Sequence, residues 1–162
     1  MRIRVPGDKS LTQRALILAA LAEGESHLSG LLWGGDAGST AGALRALGAS
    51  IPALPTDGGE IRVTGVGLRG LGQPAAPLDL GNSGTGTRLL TGVLAGSGIT
   101  ATLDGDASLR TRPMARVTRP LSGMGAHFVH LGEEGRLPMR VDGRHPLDPI
   151  DWPSPVASAQ VK

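Results

Sequence analysis

Residues 80–98 decide how this chain is read: Leu80-Gly81-Asn82-Ser83-Gly84-Thr85-Gly86-Thr87-Arg88, running into Leu89-Leu90-Thr91-Gly92-Val93-Leu94-Ala95-Gly96-Ser97-Gly98. A glycine-and-hydroxyl loop opens an apolar segment that stops at a glycine, so a buried helix is expected over Thr85–Gly98. About 74 residues earlier the arrangement already occurs, where Gly7-Asp8-Lys9-Ser10 leads into an expected helix over Leu11–Gly24. Each helix is followed by a short strand, Ser26–Leu28 or Thr100–Leu103, and then by a second helix, Ala37–Leu47 or Met114–Met124. Gly48 and Gly125 close these second helices, since a left-handed residue just past a helix end lets the last carbonyls be satisfied. Pro120 lies inside the later one and is expected to kink it or end it early. Strand-like segments follow at Glu60–Val66 and Leu137–Val141.

The repeating unit is helix–strand–helix–strand–strand, about 75 residues long and present twice, with a short strand over Arg2–Val5 ahead of the first copy. A third copy is expected to begin at Pro149-Ile150-Asp151-Trp152, with Ser154–Lys162 as a loop entering a helix. The fold class is therefore mixed α/β (α+β), two full units and the start of a third, and the chain reads as a fragment or one half of a split protein.

Composition narrows the function classes. Of 162 residues 40% are hydrophobic and 19% charged, as in a soluble globular chain. Two Trp, one Phe and no Tyr leave no aromatic platform for stacking bases. The net charge is only +2, and the 14 Arg are spread along the chain, not run together. That favours discrete recognition of carboxylates or phosphates over a nucleic-acid surface. The absence of cysteine excludes disulfides, thiolate metal sites and thiol catalysis. His127 and His130 share the spacing of a weak metal pair but read as alternating positions of a strand. No apolar run has the length of a membrane span, the N-terminus lacks a signal peptide, and a cytoplasmic protein is expected.

Four segments carry polar groups suited to anions. Lys9 and Arg14 stand beside the free N–H groups of a helix start, with Ser10 and Gln13 read as a capping box. In 81–88 the closely spaced glycines expose main chain to a ligand, without matching the dinucleotide fingerprint. Arg112 precedes Pro113, which is expected at the first position of the next helix. Ser158 and Gln160 add a hydroxyl and an amide at a further expected helix entry. These are anion holders, with no evident general acid or base among them.

Taken in order, Pro6-Gly-Asp-Lys-Ser10 with Arg14, Leu80-Gly-Asn-Ser-Gly-Thr85 with Arg88, Ser108-Leu-Arg-Thr-Arg-Pro-Met114 and Ala157-Ser-Ala-Gln-Val-Lys162 closely resemble the 5-enolpyruvylshikimate-3-phosphate synthases over the whole chain. The resemblance implies repeated βαβαββ units in two domains with the active site in the cleft between them. Residues 1–12 would belong to the other domain and 13–162 to a partial N-terminal domain. It implies transfer of the enolpyruvyl group of phosphoenolpyruvate to the 5-hydroxyl of shikimate 3-phosphate with release of phosphate, in aromatic amino-acid biosynthesis. No metal and no organic cofactor are implied, and no nucleic acid or membrane partner.

By the same likeness Lys9 is the catalytic residue of this chain and touches both substrates. Ser10, Arg14, Ser158 and Gln160 would hold shikimate 3-phosphate, while Asn82, Gly84, Arg112 and Gln160 would line the phosphoenolpyruvate pocket. The family's acid and base residues would lie in a complementary C-terminal fragment, so the chain alone is expected to be inactive. Glyphosate competes at the phosphoenolpyruvate pocket in the family. Gln13 departs from the His of many members, and Leu89 from a Pro found in some. One rival is UDP-N-acetylglucosamine enolpyruvyl transferase, whose reactive cysteine loop has no counterpart here. The other is a non-catalytic anion-binding module.

Overall fold

Asp8 sets where the first helix begins. The computed structural model, which describes residues 5–153 and Gln160, has α1 over Lys9–Leu21, with the Asp8 carboxylate accepting from Leu11 N at 2.8 Å. The cap therefore falls two residues ahead of the expected Ser10, and the capping box is not formed. Asp is as good a cap as Ser, and here it has the better position. Gln13, freed from that role, turns inward and is fully buried with Thr12, Leu16, Ile17, Ala19 and Ala20. The expected domain boundary at 12/13 falls inside this first turn. There Thr12 already accepts from Leu32 N at 2.8 Å.

The remaining elements follow in order: β1 (Glu23–Leu28), α2 (Gly35–Ala46), β2 (Ile61–Val66), β3 (Leu78–Asp79), α3 (Gly84–Ser97), β4 (Thr100–Asp104), α4 (Ala107–Arg110), α5 (Ala115–Gly123), β5 (His127–His130) and β6 (Met139–Asp142). In α3 the buried positions Thr87, Leu90, Thr91, Leu94 and Ala95 form one stripe of helical period. The Thr87 and Thr91 hydroxyls donate to the carbonyls of Ser83 and Thr87 one turn back, so both are buried with their donors satisfied. Gly98 ends α3 in the left-handed conformation, as Gly48 and Gly125 do after α2 and α5.

Two antiparallel ladders occupy corresponding places. Strand β1 pairs with β2 (Glu23 opposite Val66), and β4 pairs with β6 (Thr100 opposite Asp142) in a sheet of order β3-β4-β6-β5. Where the second part has a full strand β5, the first has a single bridge of Ser50 to Thr64. Pro52 and Pro55 account for this, since proline has no N–H to donate to a ladder. His127 and His130 lie on β5, paired with Asp142 and the Arg136 carbonyl respectively, in keeping with the strand reading.

Helices α1, α2 and α3 pack against one another, α1 also against β2, and α3 against β4 and β6. Their shared core includes Leu16, Leu44, Leu90, Leu94, Val63 and Met139. Two glycines permit this closeness. A Cβ on Gly65 of β2 would overlap the carbonyl oxygens of Ala19 and Ala22, and one on Gly143 would overlap that of Leu94.

Two local expectations are corrected. Pro113 precedes the α5 N-cap residue Met114 and is not the first helical residue, because the short α4 takes up Ala107–Arg110. Pro120 does not end α5, which continues to Gly123. The strand placed at Arg2–Val5 and the third-unit helix placed within Ser154–Lys162 lie largely outside the described residues. Among the described residues, no helix is long and apolar enough to cross a membrane.

Candidate functional site

The first part of the site is the start of α1. Lys9 Nζ lies 2.9 Å from Asp36 Oδ2, the acidic residue in the first turn of α2. One turn further along α1, Arg14 Nη1 donates to the Ser10 carbonyl at 3.3 Å and to the Ser10 hydroxyl. Lys9 and Arg14 are thus held at the N-terminal end of one helix, where the backbone dipole also favours an anion.

The second part is the loop between β3 and α3. Gly81, with φ +52°, turns the chain, and the Ser83 side chain caps α3 by accepting from Gly86 N at 3.2 Å. Asn82 is fixed from both ends. Its Nδ2 donates to Asp106 Oδ2 at 2.8 Å, and its Oδ1 accepts from Arg112 Nη2. Asp106 in turn caps α4 through Leu109 N at 2.7 Å. These bonds hold its carboxyl below the usual aspartate range, the Leu109 amide contributing most and the Asn82 amide next.

Gly84 sits between two guanidinium groups. A Cβ there would meet Arg112 Nη1 at 2.8 Å and Arg88 Nη1 at 3.2 Å. Arg88 donates to the Gly84 carbonyl at 3.1 Å and the Pro113 carbonyl at 3.2 Å, while its Nε has no partner among the described residues. Burial, reinforced by the positive charges of Arg116 and Arg112, lowers the Arg88 guanidinium below its ordinary value. Among the described residues, neither Arg88 nor Arg112 is paired with a carboxylate. These cations hydrogen-bond only to carbonyl, hydroxyl and amide acceptors, with the Asp106 carboxylate facing Arg112 through space across the Asn82 amide, and so keep donors for a further anion.

The two parts are joined through Gln13. Its Nε2 reaches Ser83 Oγ at 2.5 Å, Thr40 Oγ1 at 3.2 Å and the Asp36 carbonyl at 3.4 Å. Gln160 donates to Thr85 Oγ1 at 3.2 Å, at the start of α3. Of the residues expected from sequence, Lys9, Ser10 and Arg14 gather at α1, and Asn82, Gly84, Arg112 and Gln160 at the start of α3. Ser158 lies outside the described residues. Asp36, Ser83 and Asp106 were missed. The Asp106-x-x-Leu109 capping pattern was a usable signal for the last, whereas Asp36 and Ser83 become visible only once α1, α2 and α3 pack together.

The family model for EPSP synthase (3-phosphoshikimate 1-carboxyvinyltransferase) matches residues 1–162. The chain belongs to the EPSP synthase family. A 3-phosphoshikimate 1-carboxyvinyltransferase of Rhodopseudomonas palustris (strain TIE-1) is 58% identical over 160 residues, which are 98% of this chain and 35% of that protein. Its counterpart in Bradyrhizobium diazoefficiens is 56% identical over 162 residues, covering 99% of this chain and 34% of the relative. Among solved structures, an EPSP synthase from Acinetobacter baumannii superposes with a TM-score of 0.91 at 44% identity, over 99% of this chain and 36% of that one. The chain thus spans about a third of the length of these EPSP synthases.

Proposed function

We propose that this chain carries the substrate-holding residues of one half of a 3-phosphoshikimate 1-carboxyvinyltransferase. The carrying observation is Gly84, which is buried between the Arg88 and Arg112 guanidiniums, with Asn82 tied to Arg112 beside it. A compact polyanion such as phosphoenolpyruvate fits such a place, since two planar guanidinium forks offer several donors to one phosphate or carboxylate. Lys9 serves both ligands, while Ser10 and Arg14, which follow it on α1, hold shikimate 3-phosphate and Ser158 and Gln160 complete the two pockets.

The reaction adds the shikimate 3-phosphate 5-hydroxyl to C2 of phosphoenolpyruvate, with the hydroxyl proton lost and a proton gained at C3. The resulting tetrahedral intermediate then loses phosphate from C2 and a proton from C3, restoring the double bond. Lys9 stabilises the charge of both anions. The proton-transfer groups belong to a complementary C-terminal part, as does the domain into which residues 1 to about 12 lead. Glyphosate inhibits at the Gly84 pocket.

Phosphate release from phosphoenolpyruvate and shikimate 3-phosphate tests this reading, with the chain alone and mixed with the C-terminal part of a relative. Turnover in the mixture and none in the chain alone is expected. Silence in both, with the partner fragment shown to be folded, supports instead a binding module without catalysis.

A further inference from the structure

Gln13 has no place among the substrate ligands, yet it is a large polar side chain buried near them at 0% exposure. Its amide orientation follows from its neighbours. The Thr40 hydroxyl donates its proton to the Asp36 carbonyl at 2.9 Å, so toward Gln13 it has only a lone pair to offer. The Asp36 carbonyl is an acceptor, and Ser83 Oγ already accepts from Gly86 N. Two of the three neighbours, the Thr40 hydroxyl and the Asp36 carbonyl, can only accept, which places the NH2 group toward them and leaves Oε1 without a partner among the described residues. Gly86 makes room for the knot: a Cβ there would lie 2.6 Å from both Ser83 Oγ and Thr40 Oγ1, and 3.0 Å from Gln13 Nε2.

The connections matter more than the burial. Ser83 lies between Asn82 and Gly84, and Asp36 is the residue whose carboxylate holds Lys9. One amide therefore ties the Lys9 counter-ion on α2 to the glycine loop of α3. Ser10 and Arg14 bond to each other along α1 and take no part in this link.

We infer that Gln13 is a positioning residue that sets Lys9 and the Asn82–Gly84 loop in register for one anionic ligand, phosphoenolpyruvate. The inference rests on the proposed assignment of that ligand to the Gly84 pocket. It assigns Gln13 no contact with substrate. The link acts through hydrogen-bond donation, so a side chain of equal volume without donors breaks it.

The test is titration of the chain with phosphoenolpyruvate and, separately, with shikimate 3-phosphate, for the unaltered protein, Gln13→Met and Gln13→Glu. The dissociation constants are compared beside thermal melts of each variant. In Gln13→Met, phosphoenolpyruvate affinity should fall at least about tenfold while shikimate 3-phosphate affinity changes less than about threefold. Gln13→Glu, which turns a carboxylate on the Thr40 lone pair and the Asp36 carbonyl, should lose at least as much. If Gln13→Met does not fold, Thr40→Val removes one of the acceptors of the Gln13 amide with little change in shape and should show the same split, about threefold. Unchanged phosphoenolpyruvate affinity in a folded Gln13→Met, or equal loss of both ligands, overturns the inference and leaves the ligand assignment standing. Failure of the unaltered chain to take phosphoenolpyruvate at millimolar concentration overturns both.

Discussion

Replacing Gly65 by alanine should cost this fold far more than the same change at Gly92, with the sign reversed between them. The φ of Gly65 is not in the left-handed region, so alanine can adopt its backbone and the effect is steric. The added methyl would overlap the Ala19 and Ala22 carbonyl oxygens and lie 2.9 Å from that of Ala20. All three are main-chain atoms at the end of α1, so no rotamer change relieves the overlap. The helix must lift from β2, and the packing of Leu16, Ile17 and Ala20 on Val63 loosens with it. Overpacking of this kind costs about 1–3 kcal/mol, and a contact with main chain alone belongs at the upper end. At Gly92, inside α3, a Cβ meets nothing within 4 Å, and alanine should gain about 0.5–1 kcal/mol from helix propensity. In urea, with a slope of about 2 kcal/mol/M, Gly65→Ala should lower the midpoint by about 1.5 M and Gly92→Ala should raise it slightly. Gly143→Ala, which meets the Leu94 carbonyl in the corresponding place, should behave like Gly65→Ala. Equal midpoints for Gly65→Ala and Gly92→Ala would refute the argument that α1 is seated against bare backbone.

Arg112→Ala should weaken phosphoenolpyruvate binding by about 10- to 100-fold, the loss of one charge-assisted contact, with shikimate 3-phosphate binding largely kept; calorimetry on both ligands checks this. Asp106→Ala removes both the α4 cap and the tether on Asn82. A lower midpoint in chemical denaturation should accompany a weaker phosphoenolpyruvate titration. The bidentate Arg110 contact, at 2.8 and 2.6 Å, holds the Asp104 carboxyl below its ordinary value of 3.8. A carboxyl lowered in the folded state contributes stability that is present above its unfolded value and lost as pH falls through the folded one. The melting temperature of Arg110→Ala should therefore fall less steeply than that of the unaltered chain between about pH 4.5 and 2.5. Parallel curves would remove Asp104 from the account.

Much of the architecture was legible because glycine and apolar spacing mark it directly. Gly48, Gly98 and Gly125 end helices where a left-handed residue is needed, and the α3 stripe from Thr87 to Ala95 keeps one period throughout. Errors arose where two local signals competed. Asp8 and Ser10 are both good caps, and only the backbone geometry decides for Asp8. Pro113 fits a first helical position equally well, but α4 shifts the start of α5 past it. One further signal was available: Ile61-Arg-Val-Thr-Gly65 and Met139-Arg-Val-Asp-Gly143 share a pattern that seats β2 and β6 against α1 and α3. At the site, the charged residues stood out by type. Gln13, Asp36 and Ser83 did not, because each takes its role from a neighbour on another helix or loop, dozens of residues away in sequence.

Isotope-labelled chain titrated with phosphoenolpyruvate and then with shikimate 3-phosphate, read by the backbone amide and arginine side-chain signals, tests the central claim most directly. Phosphoenolpyruvate should move Asn82, Gly84, Gly86 and the Arg112 guanidinium, and shikimate 3-phosphate should move Ser10 and Arg14, with Lys9 responding to both. Small shifts scattered over exposed arginines such as Arg62 and Arg140, matched by inorganic sulfate at the same concentration, would contradict it.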